Sequence, residues 1–99
     1  MKITRFEDIE AWKVSRRLSR LVNETTTSKT FRSQSTLRSQ LRRAATSAMA
    51  NIAEGFNSGS DVEFTRFLRI SRKSATEVQS HLYAALDDRS INQEQFDRI

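Results

Sequence analysis

The chain has no cysteine, no proline, two glycines and one histidine among its 99 residues. Each shortage excludes something. Without cysteine there are no disulfides, thiolate zinc sites or cysteine nucleophiles. A turn-rich β-fold needs glycine and proline at its corners, so an all-helical chain is expected. No apolar run approaches the ~18 residues of a membrane span. The opening MKITRFEDIEAW carries acids where a secretory signal needs an apolar core, which predicts a cytoplasmic protein with no membrane partner. There is no glycine-rich phosphate loop, no Ser/His/Asp set and no cluster at metal-ligand spacing. Catalytic residues, metals and cofactors are therefore not expected. His81 lies beside an apolar seam and reads as a packed imidazole.

Acids are also missing from one interval. None lies between Glu24 and Glu54, while Lys29, Arg32, Arg38, Arg42 and Arg43 fall inside it. Residues 1–59 hold eleven Lys/Arg against five Asp/Glu, whereas residues 60–99 are nearly balanced. The formal net charge is +5. A basic surface of this kind attracts polyanions through counterion release, although charge alone names no partner.

The chain is organised around Leu37 to Phe56, LRSQLRRAATSAMANIAEGF. Leu37, Leu41, Ala44, Ala45, Ala48, Ile52 and Phe56 share one side of a helix, and the alanines among them permit close approach of a neighbour. The apolar arc is wider than the ~100° of an ordinary surface helix, so more than one neighbour should cover it. Gly55 reads as a C-terminal cap. Glu54, in this apolar setting, is expected to be partly buried and paired with Arg43 or Arg72, with Asn51 completing a structural polar cluster.

A first helix is predicted from about Arg5 to Asn23, with Phe6, Ile9, Trp12, Leu18, Leu21 and Val22 apolar. Lys13, Arg16, Arg17 and Arg20 form a basic stripe, for which a solvated face is the ordinary reading. The Ser/Thr-rich segment from Asn23 to Thr36 reads as a loop, mobile at Thr25–Thr27 and pinned by Phe31, with Ser33 or Ser35 capping the central helix. After the connector Asn57-Ser58-Gly59-Ser60, Ser60 and Glu63 form a capping-box pattern. The third helix, Asp61 to Asp87, carries a seam of Phe64, Leu68, Ser71, Ala75, Val78, Leu82 and Ala85, flanked by Phe67, Ile70, Ser74 and His81. Arg66, Arg69 and Lys73 lie on its far side. Asn92 and Gln95 suggest the start of a fourth helix, with Ile91 and Phe96 as its hydrophobic staple.

The runs SQLRRAATSAMANIAEGF (Ser39 to Phe56) and EFTRFLRISRKSATEV (Glu63 to Val78), with FEDIEAWKVSRRL (Phe6 to Leu18), carry a resemblance. The chain resembles the small four-helix-bundle proteins encoded in intervening sequences of bacterial 23S ribosomal RNA genes. That family includes the accessory variability protein of diversity-generating retroelements. The resemblance implies an antiparallel bundle assembled as a ring, typically a homopentamer, with no established catalytic activity. For the retroelement branch it implies a basic ring that binds nucleic acid and a reverse transcriptase. The family commonly has proline where this chain has Met49, and its fourth helix is several turns longer than Asn92–Ile99 allows.

The expected fold is therefore all-α: a single domain over residues 1–99, an antiparallel up-down-up-down four-helix bundle with the fourth helix short or truncated. The expected function is non-enzymatic nucleic-acid binding by a homo-oligomer, RNA or DNA being held through phosphates. Candidate contacts are Arg16, Arg17 and Arg20 on the first helix, Arg38 and Arg42 on the second, and Arg66, Arg69 and Lys73 on the third. The alternative is an adaptor whose protein partner carries the activity.

Overall fold

The computed structural model describes residues 2–31 and 33–99. Arg32, one of the cations of the acid-free interval, lies outside the described residues. Among the described residues four helices follow in order: α1 (Glu10–Thr26), α2 (Ser35–Asn57), α3 (Asp61–Asp87) and α4 (Gln93–Arg98). Single 3-10 turns at Phe6–Asp8 and Lys29–Phe31 precede α1 and α2. Among the described residues there is no strand, and the elements form an all-α bundle.

α3 has the bounds read from its sequence, and its start is explained locally. The Ser60 hydroxyl accepts from the Glu63 backbone N–H at 3.3 Å. The return half of the capping box is absent, because the Glu63 carboxylate takes Arg66 instead. At α4 the box is complete: Asn92 Oδ1 accepts from Gln95 N at 2.8 Å, and Gln95 Oε1 accepts from Asn92 N at 2.9 Å. The helix is nonetheless only six residues long.

α1 departs from expectation at both ends. Ile9 is extended (φ −75°, ψ 123°), so Phe6–Asp8 forms a separate turn and the helix starts at Glu10. That turn folds Phe6 edge-on to Trp12, with ring centroids 5.2 Å apart. At the other end the helix runs on to Thr26. Of the segment expected to be mobile, Thr25 and Thr26 are helical and buried, and Thr27 is the residue that ends the helix. The threonines do compete for backbone groups, but they bond carbonyls one turn back, which leaves the helix intact. Thr26 Oγ1 donates to the Val22 carbonyl at 2.8 Å, and Thr27 Oγ1 to the Asn23 carbonyl at 2.7 Å. Phe31 is fully buried and pins the following turn.

α2 begins without the expected serine cap. Its N-cap residue is Gln34, whose side chain makes no capping bond. Gly55 is not the C-terminal cap either, since the helix continues to Asn57. The left-handed residue beyond the end is Gly59, at φ +76°. Gly55 has another role. It is buried, and a Cβ placed there would stand 2.6 Å from the Phe67 Cβ of α3. It is a close-approach glycine.

α2 is the middle element, packed on α1 along one side and most extensively on α3 along the other. The main core joins Val22 of α1, Leu41, Ala44 and Ala45 of α2, and Val78, Leu82 and Ala85 of α3, with Phe31 and Ile91 sealing the end. The α3 seam holds at Ser71, Val78, Leu82 and Ala85. Leu68, at 38% exposure, and the half-buried Ala75 lie outside it. Ser74, placed beside the seam by its spacing, is buried instead, because the α2 contact is rotated toward it. His81 is half-buried at the boundary.

Alanine exceeds glycine in helix propensity by about 1 kcal/mol. Gly55→Ala should still destabilise, because overpacking costs about 1–3 kcal/mol and the opposing atom is a Cβ close to the backbone. Thermal unfolding is expected to show the midpoint falling by several degrees.

Candidate nucleic-acid interface

The cations of α1 project from its solvent side. Arg16, Arg17 and Arg20 are exposed and have no ion-pair partner among the described residues. With Arg5 and Trp12 they line a groove of about 470 Å³. Its one carboxylate, Glu7, is held by Arg5 at 3.4 Å. The Arg16 guanidinium sits 5.8 Å over the Trp12 ring, within cation–π range.

The cations of α2 divide. Arg42 Nε donates to Thr26 Oγ1 at 2.9 Å, and its terminal nitrogen reaches the Asn23 carbonyl at 3.4 Å. A cation at the carboxyl end of α1 suits both the orphan carbonyls and the helix dipole there. Arg42 is therefore a tie between helices, not the freely projecting phosphate contact expected. Arg38 is half-buried and Arg43 exposed. These three arginines border a second groove, about 660 Å³, whose lining includes Ser35, Ser39 and Thr46 and no carboxylate.

On α3, Arg66 is also engaged. It bonds Glu63 at 3.0 and 3.2 Å, and its guanidinium stacks 4.5 Å over Phe67. Arg69 and Lys73 are exposed without an ion-pair partner among the described residues. The eight candidate residues thus do not converge. They occupy three strips, one per long helix, and the grooves of α1 and α2 share no residue.

The expected polar cluster of Arg43, Asn51, Glu54 and Arg72 does not form. Glu54 is exposed and paired with neither arginine. Arg43 and Glu54 share a helix face but stand eleven residues apart, about 16 Å along the axis. The polar cluster that does form is made of small residues. Asn51 donates to the Ser47 carbonyl at 2.8 Å and to its hydroxyl at 3.0 Å. The Ser47 and Ser74 hydroxyls share a 2.8 Å hydrogen bond, and Ser71 donates to the Ala48 carbonyl at 2.6 Å. Sequence reasoning also missed the α2 groove. Ser35, Ser39, Arg42 and Thr46 recur at steps of four, three and four, with Arg43 beside them, a signal that one helical face carries hydroxyls among arginines.

No helix of the described residues is long and apolar enough to cross a membrane. The family model for the 23S rRNA-intervening sequence protein matches residues 7–99. No curated protein and no solved structure matches the chain.

The division between engaged and unengaged arginines is testable by stability. Arg42→Ala should lower the free energy of unfolding by about 1 kcal/mol, the worth of a part-exposed charged hydrogen bond. Arg69→Ala should stay within about 0.5 kcal/mol of wild type. Urea midpoints at unchanged slope would show both effects.

Proposed function

The chain belongs to the 23S rRNA-intervening sequence protein family, and from that premise we propose that it is a non-enzymatic nucleic-acid-binding protein, acting in the cytoplasm as a ring-shaped homo-oligomer. The observation that carries this reading is the set of exposed cations the fold does not use. Arg16, Arg17 and Arg20 on α1, and Arg69 and Lys73 on α3, have no carboxylate partner among the described residues. Charges left in this state are available to phosphates, whose neutralisation releases condensed counterions. Contacts of this kind fix position without reading sequence.

Assembly strengthens the binding. One copy offers a few cations in separate strips, and a ring repeats them around an axis so that several phosphates are engaged together. A homopentamer is the form the resemblance implies. Exposed apolar side chains on two helices support an interface between copies: Val14 at 48%, Leu68 at 38% and Tyr83 at 52% exposure. A second reading is favoured by the apolar groove of about 270 Å³ bordered by Leu18, Val78, Leu82 and Phe96. It would let the protein serve as an adaptor for a protein partner.

Salt separates the two readings. Fluorescence anisotropy with a 20-base-pair duplex should show affinity falling steeply as salt rises, each neutralised phosphate contributing about −0.9 to the log–log slope on duplex DNA. Arg16→Ala/Arg20→Ala and Arg69→Ala/Lys73→Ala should each flatten that slope without changing the fold. Binding indifferent to salt, or none at about 50 mM, would replace this reading with the adaptor.

A further inference from the structure

The two grooves differ in chemistry. The groove of α1 is bordered by guanidinium groups, an indole and a carboxylate. Neither serine of that helix, Ser15 or Ser19, lines it. The shallow groove of α2 has hydroxyls among its arginines. At 100° per residue, Ser35, Ser39 and Thr46 fall within about 40° of one another, with Arg38 and Arg42 on one side and Arg43 on the other. Two exposed threonines of α3 bond carbonyls one turn back, Thr65 to Asp61 and Thr76 to Arg72. The hydroxyls of Ser39 and Thr46 make no hydrogen bond among the described residues and line the groove instead.

An arginine donates hydrogen bonds and accepts none, whereas a serine or threonine hydroxyl does both. A phosphate oxygen only accepts, so arginine suffices for it. A ribose 2′-hydroxyl both donates and accepts, and a groove offering hydroxyls between arginines matches a backbone that alternates phosphate with ribose. From Ser35 to Thr46 this face extends about 16 Å along the helix axis, several nucleotides of a strand. A-form RNA presents a wide, shallow minor groove carrying its 2′-hydroxyls, which a helix surface can approach.

We propose that the outward groove of α2 selects RNA over DNA, with Arg38 and Arg43 holding phosphates and Ser39 and Thr46 bonding ribose 2′-hydroxyls. This rests on the nucleic-acid reading above and adds the sugar to it. An acidic peptide would meet the arginines equally well but gives the hydroxyls no sugar to recognise.

The test uses the full chain and two labelled 20-base-pair duplexes of matched sequence, one RNA and one DNA, in anisotropy titrations at one salt concentration. Wild type should bind the RNA duplex at least about fivefold more tightly, the worth of one net hydrogen bond. Ser39→Ala/Thr46→Val should remove that preference by weakening RNA binding alone. Arg38→Ala/Arg43→Ala should weaken both duplexes. Ser39, Arg43 and Thr46 are exposed and Arg38 is half-buried, and circular dichroism with a thermal midpoint checks that the variants remain folded. Equal affinity of wild type for the two duplexes, or a preference that survives Ser39→Ala/Thr46→Val, overturns the sugar selection while leaving nucleic-acid binding standing. Absence of binding to either duplex overturns both. Polyglutamate that displaces RNA as effectively as unlabelled RNA also overturns the proposal, in favour of an acidic protein partner.

Discussion

The closeness of α2 to α3 is the constraint on which the rest of the structure depends. Gly55 has Phe67 where a side chain would be, and Ser71 reaches across to the Ala48 carbonyl. Helices that approach this closely need small residues at the crossing, and α2 supplies Ala44, Ala45, Ala48 and Gly55 on its buried faces. Small residues bury little apolar area, so hydrogen bonds between the helices supplement the contact. Ser47, Asn51 and Ser74 form a compact polar seam, and no buried side-chain polar atom among the described residues is without a partner. Half-satisfied networks of this kind would cost more than an apolar core, and complete ones specify a single register.

The same constraint sorts the cations. With one side of α2 against α3 and another against α1, its remaining strip faces solvent, and the arginines and hydroxyls of the second helix are gathered there. Where α2 meets the end of α1, Arg42 is drawn into capping α1. Along α3, Arg66 is drawn onto Glu63 and Phe67. Those two arginines serve the fold. The stripe of Arg16, Arg17 and Arg20 on α1 and the pair Arg69 and Lys73 are exposed and unpaired among the described residues, and the proposed function rests on them.

Much of the fold was legible in the sequence because periodicity and capping are local. The extent of α3, the box at Asn92 and Gln95, and the small face of α2 all follow from spacing alone. The errors have physical causes. Thr25 and Thr26 look like loop residues by composition, but both are buried against the bundle, and Thr26 takes a tertiary bond from Arg42. Gly55 looks like a cap until Phe67 is known to lie against it. Glu54 looks buried in an apolar neighbourhood, but the solvent-facing strip of α2 passes through it. Charge was legible as a total. Which arginines the fold consumes was not, since that depends on which helix ends and carboxylates come within reach.

The most direct test of the central claim is what travels with the protein. Purified from cells at low salt, it should carry nucleic acid, seen as an elevated ratio of absorbance at 260 to 280 nm. Ribonuclease followed by a high-salt wash should bring that ratio down to the value for protein alone. A preparation free of nucleic acid at low salt, holding a stoichiometric protein partner through nuclease and salt, would contradict the account.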